Sequence, residues 1–133
     1  FSYHLKLLVN SILFGFLTAL PLFCAIFLFG DYFLGIFGTV YLAAYDTLKI
    51  LAIGQFINAS SGAVVIFLMM TGYEKYVALI TTLGVAIVFI LQFFAYEVSN
   101  FTLAWAITIA ITFVNISSLV LVYFLFFNRK YPF

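Results

Sequence analysis

The chain has 133 residues, of which 68% are hydrophobic and 7% charged, where a soluble domain carries about 25% charged residues to keep its surface in water. Its mean hydropathy is +1.32, and a soluble globule of this size buries only about two thirds of its unfolded surface, so the excess apolar surface must face lipid. The net charge of +1 comes from scattered basic residues that form no stripe for nucleic acid. Cys24 is the single cysteine and has no partner for a disulfide or a metal.

The chain begins at Phe1, with no initiator Met and no signal-peptide pattern; the expectation is a C-terminal part of a longer protein. The first uncharged stretch, 7–29, has 23 residues, enough at 1.5 Å per residue to cross a hydrocarbon core of about 30 Å. Pro21 lies inside it and should kink the helix. Between Asp31 and Asp46 the uncharged piece 32–45 has 14 residues, too short to cross, and it carries Tyr32, Tyr41 and Tyr45 as interface residues do. It reads as an interfacial helix. Three further spans pass the length test, at 50–70, 76–96 and 101–127. The sequence thus predicts an all-α integral membrane protein with about four transmembrane helices and a short interfacial one.

Lys6 precedes the first span, Lys75 separates the second and third, and Arg129 with Lys130 follows the fourth. Four crossings put all of them on one side, and the positive-inside rule makes that side, with both ends, cytoplasmic. Asp31, Asp46, Lys49 and Glu97 then fall on the other side.

The second span is the most polar. Gln55, Asn58 and Gly62 share one helical face, which should meet protein or water; helix packing and a substrate cavity both account for it. Ala59 and Ala63 form a small-xxx-small pair, repeated by Ala106 and Ala110 in the fourth span, and with Gly62 they are candidate helix-packing residues. Lys49 stands near the outer boundary, where it can snorkel, pair with Asp46 three residues earlier, or meet an anionic substrate head group. Asn10, Gln92 and Asn115 are further intramembrane polar residues expected to bond to neighbouring helices.

Other patterns carry little. The Asn-x-Ser/Thr triplets at Asn58, Asn100 and Asn115 matter only in a secretory lumen, and two lie inside spans. His4 has no ligand or triad partner. No Gly-rich phosphate loop is visible, Asp31 and Glu97 read as solvated loop ends, and no cofactor motif emerges.

From Phe37-Gly38, Tyr41, Ala44 and Leu48, through Ile50-Leu51-Ala52-Ile53-Gly54-Gln55-Phe56-Ile57-Asn58-Ala59 and Gly62, to Leu68-Met69-Met70-Thr71-Gly72-Tyr73-Glu74-Lys75, the sequence resembles the O-antigen and polysaccharide flippases of the multidrug/oligosaccharidyl-lipid/polysaccharide exporter superfamily. The other spans fit in length and spacing, although 98–106 lacks the Gly-containing entry expected before the final helix. The resemblance implies the last four of about twelve helices in a two-bundle transporter of the bacterial cytoplasmic membrane. It implies as cargo an undecaprenyl-pyrophosphate-linked oligosaccharide, as mechanism alternating access, and as partners the preceding helices of the same protein. Gln55, Asn58 and Lys49 would be its substrate-cavity candidates. The spans contain no carboxylate, so any coupling acid would lie upstream. Alternatives are a multidrug exporter of the same superfamily, an integral membrane enzyme, which would need a carboxylate or His constellation absent here, and a structural subunit.

Overall fold

The computed structural model describes the backbone of residues 2–127 and the side chains of residues 6–126. Four long helices dominate: α1 (Ser2–Phe37), α2 (Tyr45–Met70), α3 (Glu74–Phe93) and α4 (Asn100–Val122). All four are long and apolar enough to cross a membrane, and the chain is an all-α, membrane-embedded protein. A 3-10 helix, Thr39–Ala44, leads into α2, and Tyr123–Phe127 continues α4 as a π-helical turn. Arg129 and Lys130, together with the His4 side chain, lie outside the described residues.

The expected breaks fall elsewhere than the charges suggest. Helix α1 continues through Pro21 and past Asp31 to Phe37, so 32–45 is divided among the end of α1, the turn at Gly38, the 3-10 helix and the first residue of α2. At 36 residues, α1 is about 54 Å long, more than the 40–45 Å of a whole bilayer. That length lets the Asp31 end reach the headgroups, so an aspartate inside the helix requires no charge in hydrocarbon. The chain reverses at Gly38, whose φ of 126° is open to glycine but strained for other residues.

The α2–α3 turn is a Schellman motif. Tyr73 N donates to Leu68 O at 2.9 Å and Gly72 N to Met69 O at 3.4 Å, while Gly72 takes the left-handed conformation the motif requires, at φ 84°. Tyr73 packs against the cluster containing Leu68, supplying the hydrophobic contact that accompanies such caps. Helix α4 opens on a capping box: Thr102 N donates to Ser99 Oγ at 3.2 Å and Ser99 N to Thr102 Oγ1 at 3.0 Å.

The helices stand in a row, α1 on α2, α2 on α4 and α4 on α3. Antiparallel neighbours α1 and α2 meet where a Cβ on Gly15 would strike the Ala59 carbonyl. Helices α2 and α4 run parallel, with Gly54 against Thr108 and Asn58 against Asn115. Antiparallel α3 and α4 cross at Gly84, where a Cβ would lie 2.7 Å from Val114 Cγ2. Leu8, Val64, Leu68, Val77 and Val122 cluster at one end of the row, which places Lys6 and Lys75 together there. The Gly38 reversal and the 94–99 loop occupy the other end, with Asp31, Asp46 and Glu97.

Candidate functional site

Hydroxyl groups in a membrane helix can satisfy themselves by bonding back to a carbonyl one turn earlier. Ser60 and Ser61 do so on Phe56 O and Ile57 O at 2.7 and 2.6 Å, Thr112 on Thr108 O at 2.8 Å and Ser118 on Val114 O at 2.8 Å. Thr108 instead reaches across, donating from its buried Oγ1 to Ile50 O at 2.9 Å and fastening α4 to α2. Side-chain amides are harder to satisfy in this way, because each brings two donors and a carbonyl oxygen.

The amides define the most distinctive polar site. Asn58 is the fourteenth of the 26 residues of α2, hence near mid-depth. It accepts a hydrogen bond from Asn115 Nδ2 at 3.4 Å, and the same Nδ2 donates to Ile111 O at 2.9 Å. Asn115 is 2% exposed, yet its Oδ1 accepts no hydrogen bond among the described residues. Both asparagines line an open cleft of about 280 Å³ between α2 and α3, floored by α4. Thr81, Val85 and Val88 form its α3 wall, and Ile107, Ala110, Ile111 and Val114 belong to its floor.

The remaining sequence candidates are dispersed. Gln55 is exposed on α2 and outside the lining of that cleft. Lys49 lies at the other end of α2, its Nζ 3.2 Å from Asp46 Oδ1 and 3.9 Å from the centroid of the Tyr45 ring. Tyr45 in turn donates its hydroxyl to Phe27 O at 2.8 Å and fits beside Gly30, where a Cβ would overlap its ring. Of the three substrate-cavity candidates, Asn58 therefore lines the cleft, Gln55 stands one turn away outside its lining, and Lys49 pairs with Asp46 near the start of α2.

Among the packing candidates, Ala63 adjoins the hydrophobic cluster and the backbone of Ala59 forms the α1 crossing. Gly62 meets only its own helix, since a Cβ there would find Asn58 Oδ1 at 4.0 Å and nothing nearer. Ala106 and Ala110 are buried along α4. Asn115 was legible only as a polar residue in a span; its depth and partner follow from the parallel pairing of α2 with α4. Gln92 resembles it in having a buried Oε1 without a hydrogen-bond partner among the described residues, while Asn10 is exposed on α1.

Among the described residues, no three His, Cys, Asp or Glu side chains gather as a metal site would require. The chain matches no family model, no curated protein and no solved structure.

Proposed function

We propose that these helices belong to a membrane transporter of the polysaccharide-flippase kind, carrying the head group of a lipid-linked oligosaccharide between leaflets while the lipid tail remains in the bilayer. The observation that supports this reading is the Asn58–Asn115 amide pair at mid-depth beside an open cleft. Amides held in hydrocarbon without full pairing are unfavourable, and intramembrane polar groups facing a cavity are what a substrate path requires. Gln55, exposed one turn away on α2, would extend the polar surface when the row of helices packs against further helices. The resemblance over 37–75 supplies the choice of cargo, and the positive-inside rule places the Lys6 and Lys75 end in the cytoplasm.

In an alternating-access cycle the amides would replace headgroup hydration as the cavity turns from one leaflet to the other. The test is movement of a fluorescent lipid-linked oligosaccharide across vesicles containing the full-length protein. Replacing Gln55 and Asn58 together with Leu is expected to slow movement at least tenfold with the fold retained by circular dichroism. Movement at the wild-type rate in that double variant, or unchanged surface polysaccharide in cells lacking the gene, would overturn the proposal.

A further inference from the structure

The α2–α3 turn and the start of α4 are fastened by a Schellman motif and a capping box, but the segment that enters α2 has neither. The 3-10 helix Thr39–Ala44 contains no buried residue, and its six residues exceed the three or four at which such helices usually stop, because their hydrogen-bond geometry is poor. It touches α1 and α2, the helices it joins, while none of its Cα atoms comes within 8 Å of α4. Gly38 precedes it at φ 126°, Tyr41 meets the ring of Phe37 edge to face at 6.4 Å, and α2 begins without a side-chain cap. The segment is held at its ends and loose between them.

Across from it lies the first turn of α4. A cleft of about 570 Å³ separates the two, with Val40, Ala43 and Ala44 on one wall and Asn100, Phe101 and Leu103 on the other. Pairing Gly54 with Thr108 and Asn58 with Asn115 sets Asn100 level with residues 43 to 46, so these walls stand opposite each other. Val40 is 85% exposed and Phe101 46%. Depth decides what that exposure means. Inside hydrocarbon, apolar side chains already have lipid for a neighbour and gain little by meeting. Asp46 and Glu97 lie beside this cleft in sequence and mark its mouth as the aqueous boundary, where joining two apolar walls removes both from water and is favourable.

We propose that Thr39–Ala44 is a strap that closes onto the first turn of α4 and seals this end of the α2–α4 seam. In the closed state Val40 and Ala43 pack on Phe101 and Leu103, and Gly38 takes up the change in backbone direction. The movement is a few ångströms, and what covers each wall is the other wall. The strap goes beyond the transport reading, because closure requires neither cargo nor helices outside this chain.

A disulfide needs Cα atoms about 4.4–6.8 Å apart, a separation that no residue of the 3-10 helix has to α4 in the open arrangement. The full-length protein, with Cys24 and any other native cysteine replaced by Ser, carries Ala43→Cys and Asn100→Cys in phosphatidylcholine–phosphatidylglycerol vesicles. Both thiols are shown reactive to maleimide, and a copper–phenanthroline oxidant is added. An intramolecular disulfide is expected, at a rate that Val40→Ser with Phe101→Ser lowers at least fivefold, since those side chains drive closure. Spin labels on the same two positions should give a long and a short distance population, the short one depleted in the serine variant. Should Asn100→Cys loosen the start of α4, Leu103→Cys takes its place. A single long population with no disulfide would overturn the strap, and so would an undiminished rate in the serine variant, which would mark random fluctuation instead of apolar closure. Closure in a protein that moves no lipid-linked sugar would keep the strap and remove the transport reading.

Discussion

The α1–α2 seam and the α2–α4 seam are built from opposite residues. Helix α1 is rich in Leu and Phe, yet only Leu8 and Gly30 among its described side-chain positions are buried. It meets α2 through aromatic contacts, Phe16 and Phe23 lying 5.2 and 4.7 Å from Phe56 between centroids, and through the close approach at Gly15. Helix α4 buries Ala104, Ala106, Thr108, Ala110, Asn115 and Ser118, small or hydrogen-bonding residues, and adds Val122 at its last turn. Lipid tails are as apolar as leucine, so burying leucine gains little and close packing decides which helix becomes central. In this chain the Leu- and Phe-rich α1 stands at the edge, and the helix that buries small residues stands inside the row.

The sharpest break in that contrast comes from a glycine. A Cβ at Gly15 would enter the space of the Ala59 carbonyl, a backbone atom that no rotamer change can move. Gly15→Ala is expected to separate α1 from α2 and lower stability by about 1–3 kcal/mol, the range for overpacking. Gly62→Ala is its control, since the added Cβ would have Asn58 Oδ1 at 4.0 Å as its nearest neighbour; it should be neutral or, by helix propensity, stabilising by about 0.5–1 kcal/mol. Reversible unfolding in detergent distinguishes them. Equal losses would mean that the seam is not set by backbone approach.

Span number and the end-to-end segregation of Lys6 and Lys75 from Asp31 and Asp46 were legible because charges are excluded from hydrocarbon, whatever the tertiary structure. The α1 boundary was not, because Asp31 ends the uncharged stretch and the helix does not end with it. The Thr71-Gly72-Tyr73 turn was legible as a motif, and its physical content is the Schellman cap. Sequence spacing also placed Gln55, Asn58 and Gly62 on one face, but could not tell which helix would meet Asn58. The partner, Asn115, lies 57 residues away on a parallel helix, and only the row order α1–α2–α4–α3 joins them. Helix α4 begins without a glycine, since Ser99 and Thr102 start it by a capping box.

The central seam can be sharpened through Thr108. Its hydroxyl bonds to Ile50 O across 58 residues, whereas most hydroxyls here bond within their own helix. Thr108→Val keeps the shape and removes the bond, and it should destabilise by about 0.6 kcal/mol, the mean for interhelical hydrogen bonds in membranes. Thr112→Val, which removes only the intrahelical bond to Thr108 O, should cost less. A loss of several kcal/mol for Thr108→Val would show that hydrogen bonding, rather than small-residue packing, holds α2 to α4.

The smallest effect belongs to the end of the edge seam nearest the Gly38 reversal. Lys49 bonds to Asp46 there, but the Asp46 side chain is 77% exposed, and exposed i,i+3 pairs contribute only about 0.2–0.5 kcal/mol. The Tyr45 ring under the ammonium adds an attraction of similar size. Lys49→Met should therefore destabilise by no more than about 1 kcal/mol, and the difference from wild type should shrink near 1 M salt, where the Debye length is about 3 Å. For the proposed transporter, stability and transport assays then separate the two readings of Lys49. If it only pairs with Asp46, transport in Lys49→Met follows its small stability change; if it meets an anionic head group, transport falls steeply while the unfolding transition stays in place. A stability loss matching Gly15→Ala would instead make the Tyr45–Lys49 cluster a principal fastening of α1 to α2, and the edge seam would then depend on polar contacts as much as the central one does.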